Sequence, residues 1–206
     1  MIACIKQNPR LKKLVLGLIS SSERPRPRWW VRHLLTPFIH TRGKGSRIWR
    51  HARADIFPWN RFSMGAKAQI EDFAVVNNGA GEVIIGEGTL IGIGSVVVGP
   101  VHLGRYVFLG QHVSVQGIIH GYEDTNQDPN LQPLIKRPIS VGDYTHLGTN
   151  STIMAGVQIG ERCQIGAGSV VTKNIPPYSV AVGNPAHVVK RYDAQQKAWV
   201  RVSTEK

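Results

Sequence analysis

The sequence predicts an all-β protein in which the chain winds into a stack of three-sided coils. Three observations carry that prediction. First, Ile85, Ile91, Val97, Leu103, Leu109 and Val115 recur at every sixth position, and Val141, Leu147, Ile153, Ile159, Ile165 and Val171 repeat the pattern. Second, eight of these twelve residues are followed by glycine. Third, the position two residues before each of them is small or β-branched in nearly every case, as in Thr89, Ser95, Val101, Thr145, Ser151 and Val157.

A helix does not explain this period, because residues six apart lie about 240° apart around a helix axis. A short strand followed by a corner does. Three such hexapeptides close a coil of about eighteen residues, and stacked coils pair their strands at about 4.8 Å. In each hexapeptide two positions face inward, the aliphatic residue and the residue two before it. Glycine suits the corners, where backbone freedom matters most.

Along the chain, residues 1–22 predict a short amphipathic helix, and the alternating Pro25 and Pro27 predict an extended breaker. Residues 29–57 mix aromatic and basic side chains and carry no assignable period. An imperfect first coil is expected over 62–79, with Met64, Ile70 and Val76 in the aliphatic column. Its phase breaks at the polar loop Asn77-Asn78-Gly79-Ala80-Gly81. Two coils follow over 85–120 and two more over 141–176, ended by Pro176-Pro177; residues 186–202 read as a C-terminal helix. The resulting division is a basic aromatic extension over 1–61, the coil over 62–180 and a C-terminal segment with a helix over 181–206. The break at 121–138, rich in proline and acidic residues, cannot join the coil's strands. It must project sideways, where function concentrates.

The formal net charge is +12, and all of it falls in residues 1–61, which hold 14 Lys/Arg against 2 Asp/Glu; residues 62–206 hold 11 of each. With Trp29, Trp30, Phe38, Trp49, Phe57 and Trp59, that segment suits an anionic membrane surface or a solvated basic face, and no nucleic-acid motif accompanies it. The apolar run Leu14–Ile19 is too short to span a bilayer or to make a secretory signal, so a cytoplasmic location, peripheral to the inner membrane face, is expected. Of the two cysteines, Cys4 lies near the chain start and Cys163 falls in the small inward column, as a core thiol would. Neither a disulfide framework nor a cysteine metal site is indicated.

Residues 62–192 resemble the hexapeptide-repeat acyltransferases, in particular the sugar and polysaccharide O-acetyltransferases. The resemblance is most specific in Ile165-Gly-Ala-Gly-Ser-Val-Val-Thr-Lys-Asn-Ile-Pro-Pro-Tyr-Ser-Val-Ala-Val-Gly-Asn-Pro-Ala186. It implies a left-handed parallel β-helix; general rules for parallel connections favour the opposite hand. It also implies a homotrimer with active sites between subunits, acetyl-CoA as co-substrate and no metal. His120, in Gly117-Ile-Ile-His-Gly-Tyr-Glu-Asp124, matches the family's general base at the start of the projecting loop. The chemistry needs such a group. A hydroxyl is a poor nucleophile at neutral pH, and a neutral imidazole can take its proton during attack on a thioester. Glu123 or Asp124 could orient the imidazole, and Asn77 or Asn78 could meet the acceptor.

By the same resemblance, Thr149 and Ala167 present main-chain groups to the pantetheine arm, and the Thr149 amide also suits the developing oxyanion. Thr172, Lys173, His187 and Lys190 fall at coenzyme-binding positions, with the lysines near the phosphates. His187 departs from the arginine common there, and His146 from a tryptophan.

The implied acceptor is a sugar hydroxyl of a polysaccharide or lipopolysaccharide precursor, small or lipid-linked. Alternatives are an amino sugar, serine or a xenobiotic. A γ-type carbonic anhydrase would use three histidines on zinc. His102 and His120, eighteen apart, are expected to stack in one column, but the tight histidine pair of that enzyme is absent. A non-catalytic scaffold is the remaining alternative.

Overall fold

The computed structural model describes residues 8–20 and 26–202. From Thr41 onward the chain forms a three-faced parallel coil. The first face stacks six strands, from Thr41–Arg42 through Phe62–Met64, Val83–Ile85, Val101–Leu103 and Ile139–Val141 to Gln158–Ile159. The second runs from Arg47–Ile48 to Ser179–Gly183, and the third from Arg53–Asp55 to Val170–Val171. Every pair between coils is parallel, for example Val101 with Val83 below and Ile139 above.

Both predicted inward columns are inside. The twelve aliphatic residues and the twelve residues two before them are each no more than 3% exposed. Three of the five inward hydroxyls in this column, those of Thr89, Ser95 and Thr145, bridge successive coils. Thr89 Oγ1 donates to the Gly104 carbonyl at 2.7 Å and accepts from the Val107 amide at 3.0 Å. Ser95 repeats this with Gly110 and Val113, and Thr145 with Gly160 and Cys163. A small hydroxyl therefore satisfies two buried backbone groups at each such corner.

The glycines after the aliphatic residues answer a different need from the one expected. A Cβ on Gly110 would lie 2.8 Å from the Thr149 amide nitrogen of the next coil. Close approach, not a special φ, excludes a side chain there. The left-handed conformation falls two positions later, at residues such as Tyr106, His112 and Asn150.

Three sequence expectations are corrected. The coil begins at Thr41, inside the segment assigned to the extension, because Thr41–Arg42, Arg47–Ile48 and Arg53–Asp55 pair with the coil above. In the aliphatic columns this first coil has Arg42, Ile48 and Ala54 opposite Met64, Ile70 and Val76, so the period is masked. The C-terminal segment is not helical. Ala186–Asp193 folds back antiparallel on Ser179–Gly183, and Ala198–Arg201 adds a further strand. The last parallel strand offers an open edge, and the β-branched pair Val188-Val189 suits pairing. Asp193 accepts from the amides of Gln195 and Gln196 to make the turn. His120 does not stack on His102, whose register partners are Ile84 and Ser140.

Before the coil, a helix runs Pro9–Ile19, capped by Asn8, whose side chain accepts from the Arg10 and Leu11 amides. It lies within the predicted 1–22 helix; residues 1–7 and 21–25, and with them Cys4, fall outside the described residues. A helical stretch over Val31–Leu35 and Thr36–Ile39 follows. Among the described residues no helix is long and apolar enough to cross a membrane.

Candidate active site

The break in the repeat is a β-hairpin. Ile118–His120 pairs antiparallel with Leu134–Lys136, with His120 opposite Leu134. It rises from the edge between the third and first faces, and the register resumes with Val101 paired to Ile139. The projection therefore begins three residues before the predicted loop. Gln132 organises its tip. That side chain is buried, donates to the carbonyls of Asp124 at 2.8 Å and Gln127 at 3.2 Å, and accepts from the Asp124 amide at 3.3 Å. Asp128 caps the turn Pro129–Leu131 through the Asn130 amide.

His120 is exposed at the root of this hairpin, and among the described residues its ring makes no hydrogen bond. Neither Glu123 nor Asp124 holds it. Both are exposed, and the Asp124 carboxylate accepts from the Asn126 amide at 3.0 Å, a local turn. Asn77 lies on the same edge two coils earlier and is half-buried, its Oδ1 accepting from the Gly79 amide at 2.6 Å. Asn78 is a correction. It is fully buried, accepts from the Phe57 amide at 2.6 Å, and donates to the carbonyls of Phe57 at 3.0 Å and Asn60 at 2.7 Å. It holds the 57–60 loop and has no group left for an acceptor.

Thr149 and Ala167 stack one above the other on a different edge, between the second and third faces. The Thr149 carbonyl accepts from the Gly168 amide at 2.9 Å, and its hydroxyl donates to Gln111 at 2.9 Å. Among the described residues the Thr149 and Ala167 amides have no protein acceptor, so both donors are open to a ligand. His187 lies opposite Val182, whose side chain abuts Gly166, so His187 continues this edge upward. Lys190, opposite Val180, is exposed on the same closing strand. His146 on the second face is exposed and packs against Phe108, ring centroids 5.3 Å apart.

Thr172 and Lys173 return to the hairpin edge. Thr172 lines a cleft of about 540 Å³ with Lys136, Arg137, Ala155 and Asn174, and Lys173 is exposed beside it. Lys136 and Arg137 are cations that sequence reasoning missed. Only their place just before Pro138, where the coil resumes, marked them.

One chain thus brings His120, Asn77, Thr172 and Lys173 to one edge and Thr149, Ala167 and His187 to the next, with the third face between. Cys163 is buried; desolvation raises its thiol above the usual range, and Sγ lies 3.2 Å from the Pro176 carbonyl. That environment disfavours a thiolate nucleophile. Among the described residues no group of His, Cys, Asp and Glu is placed to hold a metal ion, and His102 is bound to Glu82 at 2.7 Å.

Comparison with known proteins agrees with the fold. The family described as bacterial transferase hexapeptide (six repeats) matches residues 82–117 and 138–173. A Staphylococcus aureus protein that carries an acetyltransferase name, SAR2635, is 55% identical over 56 residues. That match covers 27% of this chain and only 28% of the relative's length. The serine acetyltransferase of Buchnera aphidicola is 28% identical over 173 residues, covering 81% of this chain and 61% of that protein. Among solved structures, AntD, an N-acyltransferase from Bacillus cereus in complex with dTDP-4-amino-4,6-dideoxyglucose and coenzyme A, superposes with a TM-score of 0.66. Its identity is 19%, over 80% of this chain and 91% of that one. Residues 82–117 and 138–173 are thus similar to the hexapeptide repeats of bacterial transferases, within a chain wound as a left-handed parallel β-helix.

Proposed function

We propose that this protein is an acetyl-CoA-dependent O-acetyltransferase acting on a sugar hydroxyl of a polysaccharide or lipopolysaccharide precursor. The observation that carries the reading is the exposed imidazole of His120 at the root of a hairpin that leaves the coil register intact. The open Thr149 and Ala167 amides lie on another edge, so the reading also requires a homotrimer. The hairpin edge of one subunit faces the small-residue edge of the next, and acetyl-CoA lies in the groove between them.

In that groove the pantetheine arm hydrogen-bonds the Ala167 amide, while Lys173 and Lys190 meet the phosphates as point cations. His187 adds a donor at the same end. His120 takes the acceptor hydroxyl proton as the oxygen attacks the thioester carbonyl. The Thr149 amide donates to the oxyanion. The collapsing intermediate expels the thiolate, which receives the proton from His120. Transfer is direct, because Cys163 is buried and protonated.

The N-terminal segment favours a lipid-linked acceptor over a free one. Leu14, Leu18, Trp29, Leu34 and Phe38 are all more than half exposed in a segment that carries the chain's entire net positive charge. An anionic membrane surface complements both features, which supports a peripheral place at the cytoplasmic face. The relatives' names keep an amino-sugar or serine acceptor as the alternative.

The test is a panel of sugars, amino sugars and serine incubated with acetyl-CoA while free thiol is followed. Thiol release with a hydroxyl sugar supports the reading. Release with amines alone transfers it to N-acetylation, and no release with any acceptor, together with no coenzyme A binding, points to a scaffold.

A further inference from the structure

Between the helical stretch over 31–39 and the first coil lies a cavity of about 850 Å³. Its floor is apolar, made by Ile48, Ala54, Ile56 and Phe62. Its walls carry Arg32, Arg42 and Arg50, and among the described residues none of the three has a carboxylate partner. The contrast is local: Arg26 and Arg53 in the same segment are both bound to the buried Asp55.

Arg42 is the most informative. It pairs in register with Met64, and Met64 with Ile85, so an arginine occupies the end of a column that is aliphatic everywhere above it. His40 adds a second polar feature. Its Nε2–H donates to the Phe57 carbonyl at 3.1 Å, so Nδ1 of the neutral ring is an acceptor, and that atom is buried without a partner. Burial lowers the imidazole pKa and keeps the ring neutral.

We propose that this cavity binds the phosphate head group of an anionic membrane lipid. The three guanidinium groups fork onto a phosphodiester, which arginine suits better than lysine. Phosphatidylglycerol is one such lipid, and the neutral His40 ring lines the same cavity without adding a charge. The acyl chains leave past the exposed Trp29, Leu34 and Phe38 of the same segment. The inference rests on the membrane reading above and adds a defined site to it.

The test is flotation of the full-length protein with phosphatidylglycerol–phosphatidylcholine vesicles and with pure phosphatidylcholine vesicles. The informative variant is Arg32→Lys with Arg42→Lys and Arg50→Lys, which keeps the net charge. Its partitioning onto anionic vesicles should fall at least about fivefold, with an unchanged thermal midpoint. The Gln triple at the same positions should lose more than the charge-matched Lys44→Gln, Arg47→Gln, Arg61→Gln control. Equal binding by the Lys triple, or equal loss in the two Gln triples, reduces the effect to diffuse charge and overturns the site. No binding of the wild type to either vesicle removes the membrane reading itself. Calorimetric binding of glycerol phosphate without vesicle binding assigns the cavity to a soluble phosphate and also overturns the lipid.

Discussion

Arg105 and Asp143, thirty-eight residues apart, are bound as if the hairpin between them did not exist. The Arg105 amide donates to Asp143 Oδ1 at 2.7 Å, and Nε and Nη2 donate to Oδ2 at 2.8 and 2.7 Å. The excursion that carries His120 thus closes on itself, and the coil above it sits on the coil below in full register. The main-chain amide and then the guanidinium hold the Asp143 carboxyl below the usual carboxylate range.

A carboxyl with a lowered folded pKa stabilises the protein above its unfolded pKa, and that stability is lost as pH falls through the folded value. Asp143→Asn should therefore lower the thermal midpoint at neutral pH and leave it nearly unchanged in strong acid. Melting curves from neutral to acid pH check this. A difference that persists undiminished in acid would contradict the ion-pair account.

Asn78→Ala should destabilise the fold by about 2–4 kcal/mol, because the buried Phe57 amide and carbonyl lose their partner. Chemical denaturation gives the value. The KM for the acceptor should stay within about twofold in the folded fraction. A raised KM with unchanged stability would restore the acceptor role.

Gly110→Ala would place a methyl group against the Thr149 amide. We expect the KM for acetyl-CoA to rise by about tenfold or more as that amide is displaced, since about 1.4 kcal/mol of lost binding suffices. The same change at Gly17, where nothing lies nearby, should have no such effect.

Cys163→Ala should leave turnover within about threefold of wild type, and Cys163 in the folded protein should resist iodoacetamide. A turnover assay reads the first point, and mass spectrometry after iodoacetamide, and separately after acetyl-CoA, reads the state of Cys163. An acetyl adduct on Cys163, or abolished turnover in the variant, would contradict direct transfer.

The coil above Met64 was legible because its inward positions admit only aliphatic or small side chains, so sequence period and structure coincide. The first coil was hidden where Arg42 and Ala54 replace aliphatic residues at the end of the prism, next to the cavity rather than under another coil. The closing strands over 186–201 were misread because their pairing partner, the open edge of Ser179–Gly183, is a tertiary feature. In the candidate site, the place of His120 at the root of the projecting segment was legible from the broken repeat, and its role as base is the proposal. The structural role of Asn78 was not, because its partners Phe57 and Asn60 lie in a loop without periodicity. Gln132 was missed for a similar reason: nothing in a polar loop marks the one amide that turns inward.

The most direct measurement is single-turnover acetyl transfer by His120→Ala alongside its affinity for coenzyme A. The account predicts a rate about 10²–10⁴-fold below wild type, with coenzyme A affinity within about twofold. Wild-type turnover in that variant would contradict the assignment of the base.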